Sequence, residues 1–195
     1  GSGGRETLGP WSTAVNFSGT AYPGSMITLL KNAQIAVIKR MPSNGRFEIR
    51  VPNVSAGTHT FGIWAEDKNG YRSITRTFTV NIKYGEAVSV SGIVLPPTIA
   101  TDKTEVRLDD SVTIFGATAP SASVILYMDS DEENGHEVEA AAVGSWRHIL
   151  SARQLKGGTH TVRARAKTGG VISTFSQAAA FSVGLKNILR PKPRA

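Results

Sequence analysis

The sequence predicts an all-β chain built as two tandem Greek-key β-sandwiches, and three observations carry this prediction. The 195 residues include 20 Gly and 9 Pro, and only 19% are charged, a composition that favours many short strands joined by turns. The second half of the chain repeats the first. Turn signals separate runs of alternating apolar and polar residues in both halves. Together these features describe two copies of one small β domain.

The repeat is visible in two pairs of segments. The first pair is FSGTAYPGSMITLL at 17–30 and IFGATAPSASVILY at 114–127, in which a Gly, a Pro and an alternating run hold equivalent positions. The second pair is GTHT, which occurs at 57–60 and again at 158–161. The offset between the halves grows along the chain, as expected when surface loops differ in length. The chain is therefore a duplication with short insertions.

The strands of each half follow from its turns. The segments SNG at 43–45, DKNG at 67–70 and EENG at 132–135 each place Asn-Gly between alternating runs. This pair readily adopts the positive φ angles of a type I′ hairpin turn. Each half then holds about seven short strands spaced roughly ten residues apart, which is typical of a Greek-key sandwich.

The domain boundaries follow from the places where the repeat breaks. We expect a tag or disordered start at 1–9, a first domain at 10–95, a second domain at 96–184 and a basic linker at 185–195. The opening GSGG is typical of an expression tag. The last segment carries four basic residues, two prolines and no apolar periodicity, which is typical of a linker.

The first domain lacks a counterpart to the opening strand of the second. The alternating run VSVSGIVL at 88–95 follows its last repeated strand, and we expect this run to complete its sheet. The run ends at Pro96 and Pro97. Because proline cannot donate to a strand ladder and fixes its own backbone, this pair predicts a short, semi-rigid joint between the domains.

Composition and charge argue against several functional classes. The net charge of +7 is unevenly spread: ten basic and five acidic residues in 1–89, eight and ten in 90–184, and four and none in 185–195. This distribution, without interleaved aromatic residues, does not predict a nucleic-acid partner. The sequence contains no run of 18 apolar residues, so it predicts no membrane span. Cysteine is absent, which favours a bacterial module that relies on packing alone.

The repeated histidines, His59 and His160, bear on whether the chain is an enzyme. Two histidines in identical settings are compatible with a split metal site, with a pair of general bases, or with one structural position in two domains. Alternation places both on the core side at the start of a strand, where an imidazole can cap the end of a sandwich. We expect them to be structural, each hydrogen-bonded within its own domain.

No catalytic or cofactor-binding residue is predicted, because the sequence carries no nucleophile elbow, phosphate-binding loop or metalloprotease motif. The acidic turn around Asp129, Asp131 and Glu133 is a weak calcium candidate. Its Gly does not directly follow the third carboxylate, as a calcium loop requires. A solvated hairpin tip is the favoured interpretation.

Two exposed faces are candidates for contact with a ligand or a partner. In the second half, Arg163, Arg165 and Lys167 form a basic stripe opposite the core face of their strand. In the first half the corresponding face holds Trp64, with Tyr71 just beyond the turn. Aromatic rings there could stack on a sugar or on a neighbouring domain. An ordinary solvated sheet face remains the alternative for both.

The segment GTHTFGIWAEDKNG resembles the motif near the end of bacterial immunoglobulin-like repeats, and GTHTVRARAKTGG is the same segment without its acidic position. More narrowly, FSGTAYPGSMITLLKNAQ, GIVLPPTI and FSQAAAFSVGLKN are similar to tandem modules of exported proteins from ultrasmall bacteria. The resemblance implies an immunoglobulin-like fold and an extracellular or cell-surface location. It implies a monomeric spacer or adhesion module that meets proteins or glycans, with a dockerin-like calcium module after the tail. Carbohydrate recognition and an accessory role in a larger secreted enzyme are the alternatives.

Overall fold

The structure, a computed structural model, describes residues 13–193, and these form seventeen β-strands. The strands pack as two immunoglobulin-like sandwiches of two sheets each, which is the all-β fold class predicted from the sequence. A 3-10 turn at Ala152–Gln154 lies between two strands of the second sandwich. Within the described residues no helix has the length and apolar character needed to cross a membrane.

The first sandwich contains seven strands. They are β1 (Ala14–Thr20), β2 (Met26–Lys31), β3 (Gln34–Arg40), β4 (Arg46–Val51), β5 (Gly57–Glu66), β6 (Arg76–Ile82) and β7 (Ala87–Val94). One sheet has the order β4-β1-β7 and the other the order β3-β2-β5-β6. The chain therefore crosses repeatedly between the two sheets, as in a Greek key.

The second sandwich repeats this plan with additional short strands. Its strands are β8 (Ala100–Thr101), β9 (Lys103–Arg107), β10 (Ser111–Ala117), β11 (Ser123–Met128), β12 (His136–Glu139), β13 (Ser145–Ser151), β14 (Gly158–Thr168), β15 (Val171–Ile172), β16 (Ala179–Gly184) and β17 (Ile188–Leu189). One sheet has the order β13-β10-β8. The other has the order β12-β11-β14-β16-β9-β17, and β15 pairs with β14. Strands β10 to β14 are thus the counterparts of β1 to β5.

The core of each sandwich lies between its sheets and is filled by the alternating apolar residues of the strands. Along β5 the inward positions His59, Phe61 and Ile63 are buried, as the alternation predicts. The aromatic residues that follow the equivalent Gly turns, Phe47 and Trp146, are only 2% and 4% exposed and belong to the two cores. Burial of such side chains is the main favourable contribution to folding of each sandwich.

Strand β7 supplies the strand that the first sandwich lacks, as the sequence predicts. It pairs with β1 from Ala87 opposite Ala14 to Val94 opposite Thr20. The pairing is parallel, whereas β8 pairs with β10 in the antiparallel sense. The directions differ because β7 is the last strand of its domain and leads out of it, whereas β8 is the first strand of its domain and leads into it.

The two sandwiches share one segment of chain, residues 87–101, which forms β7 in the first and β8 in the second. The segment runs parallel to β1 and antiparallel to β10. The equivalent strands β1 and β10 therefore run in opposite directions, and their C-terminal ends point toward each other. Their ends meet at the proline pair, where Leu95 N donates to Thr20 O and Thr98 N donates to Ala117 O. The sandwiches are therefore joined head to head, through the same pole of each.

The segment predicted as a basic linker, 185–195, is ordered over part of its length. Strand β17 pairs with β9, and Asn187 Oδ1 accepts a hydrogen bond from Arg107 N at 2.8 Å. The guanidinium of Arg190 donates to Thr101 Oγ1 at 3.1 Å. Since polar side chains rather than an apolar row hold this strand, periodicity gave no sign of it. Residues 187–190 are therefore hydrogen-bonded to the second sandwich.

Candidate functional site

Thr98 links the two sandwiches at the joint. Its hydroxyl donates to Asp67 Oδ2 at 2.7 Å and accepts a hydrogen bond from Ala117 N at 2.8 Å. Thr98 and Asp67 are 1% and 8% exposed, so this charge-assisted bond is shielded from water. The other carboxylate oxygen of Asp67 accepts bonds from Asn69 N and Tyr71 N, which fixes the loop. Asp67 is the acidic position that the first GTHT segment has and the second lacks, and it therefore belongs to the joint.

Two tyrosines of the first sandwich pack against the joint. The buried hydroxyl of Tyr22 donates to the carbonyl of Pro96, and burial raises its pKa, so it remains a donor. The ring of Tyr71 packs edge-on against Phe115 of the second sandwich, with ring centroids 5.7 Å apart. Pro96 and Pro97 are themselves buried. Tyr71, a predicted contact residue, thus contacts the neighbouring domain.

Equivalent loops of the two sandwiches contact each other reciprocally across the joint. A Cβ atom on Gly45 would lie 2.5 Å from Pro120 Cδ, and one on Gly144 would lie 2.8 Å from Pro23 Cδ. The glycines are equivalent in the repeat, and so are the prolines. The joint therefore has approximate two-fold symmetry, with the same surface used on both sides. Open grooves of about 390 and 490 Å³ flank it in matching positions.

The first repeated histidine, His59, is held by two partners in its own sandwich. Its Nε2 atom lies 2.8 Å from Ser55 O, and its Nδ1 atom lies 3.0 Å from Asn32 Nδ2. Because an amide nitrogen donates and a carbonyl accepts, this network assigns the single ring proton to Nε2. Asn32 Oδ1 also accepts a hydrogen bond from Thr60 N at 3.0 Å. Asn32 therefore bridges the imidazole and the backbone of β5.

The second histidine, His160, has the same arrangement with one partner changed. Its Nε2 atom lies 2.7 Å from Lys156 O, and its Nδ1 atom lies 2.6 Å from Asp129 Oδ2. Both partners accept only, so both ring nitrogens carry protons. Burial lowers the pKa of His160, but the bonds to Lys156 O and Asp129 outweigh it and raise this pKa above its ordinary value of 6.5. The one exchanged partner, Asp129 in place of Asn32, thus favours the protonated imidazole in the second sandwich.

The two histidines lie at opposite ends of the molecule. Strand β2 begins beside the joint, and Met26 pairs with Glu66 at the end of β5, so His59 near the start of β5 lies at the far pole. In the second sandwich, Ser123 at the start of β11 pairs with Lys167 near the end of β14. His160, near the start of β14, therefore also lies at the pole remote from the joint. Each histidine therefore holds the remote end of its own sandwich, which is the position that the repeated GTHT marks.

Two of the three carboxylates of the calcium candidate, those of Asp129 and Asp131, are hydrogen-bonded within the protein. Asp129 binds His160 and accepts from Thr161 N, while Asp131 accepts bonds from the backbone of Glu133 and Asn134 at 2.9 and 3.1 Å. Across residues 13–193 no group of three His, Cys, Asp or Glu side chains is placed to hold a metal ion. The turn has the geometry of a hydrogen-bonded hairpin tip.

Two of the three residues in the basic stripe pack on aromatic rings. The guanidinium carbons of Arg163 and Arg165 lie 4.2 and 4.3 Å from the centroid of the Phe175 ring. Arg165 also donates to Tyr127 Oη at 3.0 Å. Such cation–π packing holds both arginines on the sheet face. Lys167 alone of the three is exposed.

Trp64 is half-buried on the corresponding face of the first sandwich. The guanidinium carbon of Arg72 lies 4.2 Å from the centroid of its ring, and Arg72 also approaches Glu66 at 3.7 Å. One face of the indole is therefore covered by a cation. A sugar that stacked on that face would first displace Arg72.

Three sets of side-chain contacts were not predicted from the sequence. Asn32 and Asp129 share the offset of the repeat, and that offset was a usable sign of their common role. The link from Asp67 to Thr98 joins residues of different domains, and Phe175 lies in a loop. These contacts depend on tertiary packing, which local patterns do not report.

Comparison with known proteins supports no family assignment. No protein-family model matches the sequence, and no curated protein is significantly similar to it. Among solved structures, the fibronectin(III)-like modules of Clostridium thermocellum CbhA have 13% identity and a TM-score of 0.31, covering 84% of this chain and 80% of that one. The Ca²⁺-stabilised ice-binding adhesin of an Antarctic bacterium has 13% identity and a TM-score of 0.33, covering 91% and 45%.

A tetra-tandem repeat from the extending region of a large adhesion protein has 17% identity and a TM-score of 0.35, covering 88% of this chain and 49% of that chain. This chain thus spans less than half of both adhesin chains. Similarity at this level does not extend to function. The immunoglobulin-like assignment rests on the strand order itself.

Proposed function

We propose that the chain is a non-catalytic spacer or adhesion module of a bacterial exported or cell-surface protein. A spacer must hold its two ends at a fixed separation, which requires a joint that resists bending. A binding module instead requires an open concave or aromatic surface. The arrangement at the joint favours the first requirement.

The observation that carries the proposal is the segment shared by the two sandwiches. Residues 87–101 are hydrogen-bonded to β1 on one side and to β10 on the other, so no free linker separates the domains. The buried contact between Thr98 and Asp67 and the packing of Tyr71 on Phe115 add side-chain links across the same boundary. Bending the joint would break these contacts together.

The finer parts of the proposal rest on the sequence resemblance. The motif GTHTFGIWAEDKNG is similar to bacterial immunoglobulin-like repeats, which favours an extracellular or cell-surface location and partners that are proteins or glycans. We place the domain boundary at the buried pair Pro96 and Pro97. The similarity to exported proteins of ultrasmall bacteria, and the dockerin-like module that it implies, belong to this proposal as well.

The second candidate is carbohydrate recognition through the outer face of the first sandwich. Its supporting observation is the partly exposed indole of Trp64, since aromatic rings stack on sugars. The cation–π contact with Arg72 counts against it, because it covers one face of that ring. An accessory role beside a secreted catalytic domain is compatible with either candidate.

A glycan array separates the two candidates. We expect no reproducible glycan binding by the full chain, because the accessible aromatic surface at Trp64 is already packed against Arg72. Reproducible binding that is lost in Trp64→Ala would favour carbohydrate recognition. Phe175→Ala is the matched control, because it removes a ring of the second sandwich that also packs against arginine.

A further inference from the structure

Two strands at equivalent edges of the molecule, β3 and β12, carry opposite charges. Strand β3 is the outermost strand of the sheet β3-β2-β5-β6, and β12 is the outermost strand of the larger sheet in the second sandwich. The outward N–H and C=O groups of an edge strand can pair with a strand from another chain. Each strand is therefore a potential site of sheet extension.

The charges on the two edges are one-sided. Residues 31–40, which contain β3, hold Lys31, Lys39 and Arg40 and no acidic residue. Residues 129–139, which contain β12 and the turn before it, hold six carboxylates and no Lys or Arg. These six are Asp129, Asp131, Glu132, Glu133, Glu137 and Glu139.

Within residues 13–193, the charges nearest the two strand edges have no ionic partner of opposite sign. Arg40 and Lys39 donate to the backbone carbonyls of Gly24 and Glu48, at 3.2 and 3.1 Å. Among the residues that the structure describes, neither of them forms an ion pair, and neither Glu137 nor Glu139 does. None of these four charges is therefore neutralised by a contact ion pair in the described part of the chain.

The complementary side chains also lie on corresponding faces. Val37 of β3 and Val138 of β12 pack against their cores, so the alternate positions Arg40 and Glu137 point to the outer face of each sheet. In a sheet continued from β3 to β12, Arg40 on that face of β3 would meet the carboxylates of Glu137 and Glu139 on that face of β12, and opposite charges across neighbouring strands stabilise pairing. Ile38, which is 57% exposed on the same face of β3, would bury apolar surface there.

We infer that β3 of one copy pairs with β12 of a second copy, so that the two sandwich sheets become continuous. Like charges oppose pairing of β3 with β3 and of β12 with β12, which leaves the mixed pair as the favoured contact. The inference is an alternative to the sequence-based expectation of a monomer. It goes beyond the proposed function and does not depend on it, because pairing is a property of the chain in solution.

Sedimentation velocity on the full chain tests the charge requirement. We expect the association constant to fall at least about tenfold between 50 and 500 mM NaCl, because salt screens exposed charges. Lys39→Glu with Arg40→Glu, and separately Glu137→Lys with Glu139→Lys, should each weaken self-association to a similar degree at 50 mM NaCl. An equimolar mixture of the two variants should associate again as a heterodimer, which also shows that both are folded.

Cysteine capture tests which edges meet, and the absence of native cysteine removes any background. A chain carrying Ile38→Cys, mixed with one carrying Glu137→Cys, should form mixed disulfide dimers in preference to like pairs. Leu185→Cys, which is exposed away from both edges, is the control partner. A chain that sediments as a monomer at all concentrations, association unaffected by both charge reversals, or cross-linking no better than with Leu185→Cys would each overturn the inference.

Discussion

A chain that ends at Lys83 is expected to lose the cooperative folding of its sandwich, because it lacks β7. This strand and the residue after it bury Ile93, Val94 and Leu95, which are 4%, 8% and 1% exposed. At about 1.5 to 3 kcal/mol for each buried side chain, their loss removes roughly 5 to 9 kcal/mol. That is comparable to the whole free energy of unfolding of a small domain. The exposed edge of β1 would then promote aggregation.

The matched control for this truncation is a chain that ends at Pro97. It keeps β7 and the carbonyl of Pro96 that accepts the Tyr22 hydroxyl. We expect this fragment to unfold cooperatively in urea, whereas the one ending at Lys83 should show no cooperative transition or should precipitate. A well-folded fragment of residues 1–83 would contradict the assignment of β7 to the first sandwich.

Replacing Asp129 by Asn is expected to remove a pH-dependent contribution to the stability of the second sandwich. Because the pKa of folded His160 is raised above 6.5, its contribution is fully present below pH 6.5 and is lost as the pH rises through the folded value. Asp129→Asn should therefore cost about 1.5 kcal/mol near pH 5.5, the loss of one charge-assisted hydrogen bond. Near pH 9 the cost should vanish, because an amide can donate to the neutral ring. Hydrogen exchange of β14 measures this difference.

The first sandwich provides the reciprocal experiment. Asn32→Asp places a carboxylate beside His59 in the geometry that Asp129 has beside His160. The stability of the first sandwich should then become pH-dependent in the same direction, while that of the second stays unchanged. NMR titration of both histidines should give a raised pKa for His160 that falls on Asp129→Asn. Titration of His160 unaffected by that substitution would contradict the assigned imidazolium.

Much of the fold could be predicted because duplication and alternation are local properties of the sequence. The shared offset of Gly19 and Gly116, and the alternation through His59 and Phe61, predicted the repeated sandwich and its buried faces. The closing role of 88–95 followed from counting strands. The parallel direction of β7 could not be predicted in this way, because strand direction depends on the end of the domain from which the chain leaves.

The contacts at the joint and on the sheet surfaces could not be predicted from the sequence, for a physical reason. Thr98 is buried because its hydroxyl satisfies Asp67 of another domain, and a single threonine in the sequence gives no sign of such a partner. Likewise the basic stripe predicted an exposed surface, whereas Arg163 and Arg165 pack on Phe175. Alternation reports which face a side chain occupies and does not report what covers that face.

Small-angle X-ray scattering of the full chain tests most directly whether the two sandwiches form one extended, rigid body. The measurement should be made at 500 mM NaCl and extrapolated to zero concentration, so that pairing of β3 with β12 does not contribute. Two sandwiches joined head to head predict an elongated particle roughly 70 to 90 Å long, given strands that rise about 3.3 Å per residue plus loops at both ends. A compact, near-spherical particle, with the sandwiches folded against each other, would contradict the proposed spacer.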